Sequence, residues 1–148
     1  MLAEECERAF KVAERLRLAL PRVHAQVEVK SSGTMQRVRL ILENSGFLPT
    51  TSLAWAEKLT RVPKGFAGLS CRGDLSLQAG TPSCVLDPLD GWGSLRVGAC
   101  ANPLYAELPK RGVRAECEWW VAGKGELAVS WDLGRGGAGS WRGKVGEG

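Results

Sequence analysis

The sequence is poor in the groups that most enzymes rely on. It has one histidine and one tyrosine in 148 residues. The single imidazole, His24, falls on the polar face of a predicted strand, where an exposed surface role is the simplest reading. One histidine excludes a two-histidine metal site and offers no network for a histidine-based triad. The five cysteines (Cys6, Cys71, Cys84, Cys100 and Cys117) include no CxxC pair, so a cysteine-only metal site is not expected either. No cofactor-binding motif is present, and none is expected to be needed. Gly143-Lys144 lacks the glycine spacing, the following Ser or Thr and the preceding strand of a phosphate-binding loop.

Other absences concern location. No apolar run approaches the roughly 20 residues needed to span a bilayer, so no membrane partner is expected. Glu4, Glu5 and Glu7 stand where a secretory signal carries positive charge. There is no Asn-x-Ser/Thr sequon, and an odd cysteine count does not fit a secreted disulfide framework. The expectation is an intracellular protein with free thiols packed as small hydrophobes. Arg72-Gly73-Asp74 resembles an integrin-recognition tripeptide, but an intracellular chain gives it no receptor.

What remains is ordinary for one soluble domain: 44% hydrophobic residues, 24% charged residues and a net charge of +4. The mild basic excess tolerates an anionic partner without demonstrating one. The clearest element is a helix over residues 2–20. Leu2, Cys6, Ala9, Ala13, Leu16 and Leu20 step alternately by four and three, which makes a heptad seam, and Phe10 widens it. Glu4 to Arg8 and Glu7 to Lys11 are acid-before-base pairs at i,i+4, and Arg15 and Arg17 lie in the last turns, complementing the helix dipole. Pro21 stops the helix. The seam is too short for a stable coiled coil by itself, so the helix either packs on its own domain or is the stub of a longer one.

After Pro21 the period changes to two. Val23, Ala25, Val27 and Val29 alternate with polar residues, and after Ser31-Ser32-Gly33 a second strand sets Val38, Leu40 and Leu42 inward. Asn44-Ser45-Gly46 ends it as a turn, with Gly46 free to take positive φ. Shorter strands are predicted near Leu53–Val62 (where Leu53 to Glu57 fits a helical turn equally well), Asp74–Gln78, Ser83–Leu86, Ser94–Cys100, Val113–Val121 and Leu127–Asp132, separated by Gly, Pro and Asp turns. The expected fold is mainly β, a short N-terminal helix (1–21) followed by an antiparallel β-sandwich (22–133). From Gly134 to Gly148 glycine dominates and apolar residues are sparse, which predicts a disordered Gly-rich tail.

Two features could carry interactions. Trp119 keeps phase with Val113, Ala115 and Cys117, so its neighbour Trp120 must face outward, where an aromatic ring serves a partner. With Leu2, Cys6, Leu16 and Leu20 of the seam it makes up the expected protein-binding set. Gly134-Arg135-Gly136-Gly137 resembles an RGG segment. Arg135, Arg142 and Lys144 could neutralise phosphates while Trp141 stacks on a base, which makes a nucleic-acid-binding module the alternative. Glu116 and Glu118 share one strand face, and without an apolar cleft to separate their pKa values they read as solvated surface, not as an acid–base pair.

Val38-Arg39-Leu40-Ile41-Leu42-Glu43-Asn44-Ser45, following a heptad helix and followed by Trp55, resembles the helix-to-sandwich region of the Fanconi anaemia core complex-associated protein of 100 kDa. The resemblance covers residues 1–62. It implies a non-catalytic nuclear scaffold subunit acting in DNA crosslink repair, with other core complex subunits as partners. A chain of this length would then be a fragment, and its helix a stub.

Overall fold

The computed structural model describes residues 2–51, 64–93 and 112–146. The strands expected at Leu53–Val62 and Ser94–Cys100 lie outside them, as do Trp55 and Cys100. Among the described residues one helix, α1 (Leu2–Ala19), precedes eight strands: β1 (Val23–Ser32), β2 (Met35–Asn44), β3 (Gly65–Gly73), β4 (Ser76–Ala79), β5 (Ser83–Leu86), β6 (Arg114–Ala122), β7 (Gly125–Asp132) and β8 (Ala138–Val145).

The strands form two antiparallel sheets, ordered β1-β2-β6-β4 and β5-β3-β7-β8. Gly33 takes φ +62° in the two-residue turn between β1 and β2, as a tight hairpin requires. The alternating residues read as inward do face inward. Val38, Leu40, Leu42, Trp119 and Val121 of the first sheet and Ala67, Leu127 and Val129 of the second are all at most 1% exposed. Together they make one core between the sheets. The buried Trp119 indole is satisfied, its Nε1 donating to the Thr81 carbonyl at 2.7 Å. The expected helix and sandwich are therefore present.

Two expectations need correction. β3 was not anticipated, because Gly65 and Gly68 interrupt its alternation and only Ala67, Leu69 and Cys71 mark its inner face. The larger correction concerns the Gly-rich end. Residues 134–136 form a 3-10 turn and Ala138–Val145 form β8, paired along its whole length with β7. Its inward positions are Gly139, Trp141, Gly143 and Val145, and Val145 is 3% exposed. The glycines are what allow the packing. A Cβ on Gly139 would run into the Trp131 indole, and one on Gly143 into the Trp141 indole. Each large ring thus lies over a bare backbone, and both pack against the core. Glycine content, read as a sign of disorder, here makes room for two indoles.

Candidate interaction surface

Asn44, the last residue of β2, is the polar centre of the region where α1 joins the sandwich. It is 1% exposed. Its Oδ1 accepts from the backbone N–H of Arg22 and of Gly46, both at 3.0 Å. Its Nδ2 donates to the carbonyls of Leu48 at 2.9 Å and Asp90 at 3.1 Å. One side chain therefore ties together the exit of α1, the turn after β2 and the segment before residue 94. The sequence marked Asn44 as a turn former, but nothing in it revealed the two distant partners, Arg22 and Asp90, beside the local Gly46 and Leu48.

Backbone bonds complete the junction. Leu48 N–H donates to the Ala19 carbonyl at 2.9 Å, and Ser45 N–H to that of Arg22 at 2.9 Å. Trp92 N–H donates to Gly46 and Gly93 N–H to Phe47, at 3.1 and 2.9 Å. Thr50, buried beside Leu89, accepts the Leu89 N–H on its hydroxyl at 2.9 Å. Gly46 does not take positive φ, contrary to expectation. Glycine is required there for another reason: a Cβ would sit 2.5–2.8 Å from the backbone of Leu20, Pro21 and Arg22.

Above this anchored base, α1 buries none of its residues. The seam residues Leu2, Leu16 and Leu20 are 79%, 61% and 41% exposed, and Cys6 is exposed as well. Phe10 and Val12 flank the seam on either side and are also exposed. Glu7 and Lys11 pair at 2.8 Å on the opposite face. At the foot of the helix, exposed Phe47 and Trp92 are brought close to Leu20 by the backbone bonds just described. Exposed apolar residues therefore stand both along α1 and at its foot. Phe47 and Trp92 were not assigned to this surface from sequence, because the chain register placing them beside Leu20 comes from Asn44 and Gly46.

Trp120 lies on the outer face of the first sheet, half-buried, while Trp119 is in the core. Its Nε1 donates to Glu118 Oε1 at 3.0 Å, and Glu118 in turn pairs with Arg37 Nε at 3.1 Å. Beside it, Arg39 directs two N–H groups to Glu116 Oε2, and Arg114 Nη2 lies 2.7 Å from Glu116 Oε1. The hydrogen bond from Arg39 holds the Glu116 carboxyl below the usual carboxylate range. The same bond raises Arg39 above its ordinary value. This face carries a ladder of paired charges, and among the described residues of β1, β2, β4 and β6 Trp120 is its one large aromatic ring.

The remaining sequence-selected residues are dispersed. His24 is exposed, its Nε2 3.0 Å from the Ser45 hydroxyl. Arg135 lies in the 3-10 turn, and Arg142 and Lys144 point outward from β8. Trp141 points to the opposite side, against the core, so the tail does not join a ring to its basic residues as the alternative reading expected. Among the described residues, no group of three His, Cys, Asp or Glu could hold a metal ion. Among these same residues no helix is long and apolar enough to cross a membrane.

The profile of one protein family, Domain of unknown function (DUF8731), matches residues 22–142. The match begins just after Pro21 and runs past Leu133 into β8, so it spans the sandwich and not α1. No curated protein matches the sequence.

Proposed function

The chain belongs to this family of unknown function, and we propose that it is a non-catalytic scaffold module that docks a protein partner along the seam of α1 and the apolar patch at its foot. The supporting observation is the contrast within the junction. The base of α1 is fixed by a buried, four-bonded Asn44, yet the helix above it buries no residue while exposing Leu2, Phe10, Val12 and Leu16. Contiguous exposed apolar surface of this kind is a mark of interaction sites. The resemblance to the Fanconi anaemia core complex-associated protein suggests a nuclear DNA-repair assembly as the setting and its other subunits as partners.

The test is affinity capture from nuclear extract with the tagged chain, under reducing conditions and with nuclease, beside the variant Leu16→Glu. A defined set of proteins retained after nuclease and lost with Leu16→Glu supports docking through α1. Retention of the same set by the variant rejects it. The nucleic-acid alternative now rests on Arg135, Arg142 and Lys144 as phosphate contacts without Trp141. It predicts capture that fails on nuclease treatment and weakens steeply with added salt, whereas burial of an apolar seam is nearly salt-independent.

A further inference from the structure

Cys84 and Cys117 stand on different sheets and face each other across the interior. Cys84 is an inward position of β5, and Cys117 an inward position of β6. β4 pairs only with the Trp120–Ala122 end of β6. Between β5 and the other end of β6 lies a cleft of about 710 Å³, and both cysteines line it, together with Leu86, Asp87, Arg114 and Glu118. Within it the Cys84 thiol is one of the influences that raise the Cys117 thiol, after burial. Cys84 is half-buried and reachable from the cleft, with its Sγ 3.5 Å from the Thr81 hydroxyl and 3.7 Å from the Thr81 carbonyl. Cys117 is 7% exposed.

We propose that Cys84 and Cys117 form a thiol–disulfide exchange site, which takes a small-molecule disulfide such as oxidised glutathione and converts it into a covalent bolt between the two sheets. Exposure fixes the order of events. The Cys84 thiolate attacks one sulfur of glutathione disulfide, breaking that S–S bond, joining one glutathione to Cys84 and expelling the other as a thiolate. The Cys117 sulfur, after losing its proton to water, then attacks the Cys84 sulfur and expels the second glutathione. Two protein thiols are oxidised to one disulfide, and one glutathione disulfide is reduced to two thiols. Burial, with Cys84 as the next contribution, pushes the Cys117 thiol up to about 12, so Cys117 stays protonated and is the resolving group rather than the first nucleophile. A disulfide needs its Cβ atoms about 3.5–4.5 Å apart, so forming the bolt requires β5 and β6 to close on the cleft that both cysteines line.

The experiment treats the full chain with oxidised glutathione and follows intact mass and non-reducing peptide maps. A transient adduct of one glutathione on Cys84 is expected, followed by a species lighter than the reduced chain by two hydrogens, carrying a Cys84–Cys117 cross-link. The bolted chain should melt roughly 10 °C above the reduced one, because the bond closes a long loop, and the reductant dithiothreitol should reverse the shift. In Cys117→Ser, shown by circular dichroism to be folded, the Cys84 adduct should persist. Cross-links to other cysteines instead, adducts on both cysteines without a bond between them, or a folded wild-type chain that leaves Cys84 unmodified would each overturn the proposal. The wild-type peptide map decides the question even if Cys117→Ser does not fold.

Discussion

The two ends of the chain carry opposite lessons about hydrophobic pattern. The N-terminal end has the strongest periodicity in the sequence, a helix of 18 residues with a heptad seam, and it contributes no buried residue. The C-terminal end has almost no pattern, and its strand β8 closes one edge of the second sheet with Trp141 and Val145 packed inward. Periodicity reports that a segment has an apolar face. It does not report whether this chain or another molecule covers that face. What decides burial is whether the backbone can approach closely enough, and in β8 the glycines provide that approach.

The comparison is broken most severely at the junction between the regions. Asn44→Ala removes four hydrogen bonds and leaves two N–H groups and two carbonyls without their partner in a buried site. A loss of roughly 3 kcal/mol is expected, read by urea denaturation. If stability is unchanged, water replaces the amide and the junction is not the rigid base described. Next in size is Trp141→Ala, which should cost roughly 2 kcal/mol for a half-buried indole. Fast hydrogen exchange should then appear in the amides of β8 ahead of those of β2 and β6. A mutant with unchanged stability would restore the expectation of a disordered tail.

A smaller effect tests the outer ladder. Because the hydrogen bond from Arg39 depresses the Glu116 pKa, Glu116 binds its proton less readily in the folded state than in the unfolded one. Its contribution to stability is present above its ordinary carboxylate range and is lost as pH falls through the lower, folded-state value. Glu116→Gln should therefore lower stability slightly at neutral pH and flatten the acid side of the stability–pH profile, the two proteins converging as pH falls. An identical acid limb in the variant would show the pair to be open to solvent screening.

How much was legible follows the same division. β2 and β6 were readable because Val38, Leu40 and Leu42 and then Cys117 and Trp119 alternate strictly, and the outward placing of Trp120 follows from adjacency to Trp119 alone. β3 was not, since Gly65 and Gly68 carry no side chain to show which way they face. β8 was misread because composition was allowed to outweigh the positions of Trp141 and Val145. The contacts of Asn44 with Arg22 and Asp90, and the backbone bonds that bring Phe47 and Trp92 to the foot of α1, depend on register between segments far apart in sequence, which no local pattern encodes. The cysteine pair is of the same kind: Cys84 and Cys117 are distant in sequence, on different sheets, and come to line one cleft only when the sheets close.

The smallest expected change in stability is also the most informative. Leu16 is 61% exposed on α1, and its replacement by Glu leaves every core contact in place. Unfolding of Leu16→Glu should lie within about 0.5 kcal/mol of the parent, as for surface positions generally. A charge on the seam should nonetheless abolish partner docking, because burying it without a counter-charge is costly. Stability unchanged and binding lost is the combination that separates a docking helix from a structural one. If instead Leu16→Glu lowers stability as much as Trp141→Ala does, α1 is packed on its own domain in solution, and the contrast between the two ends of the chain disappears.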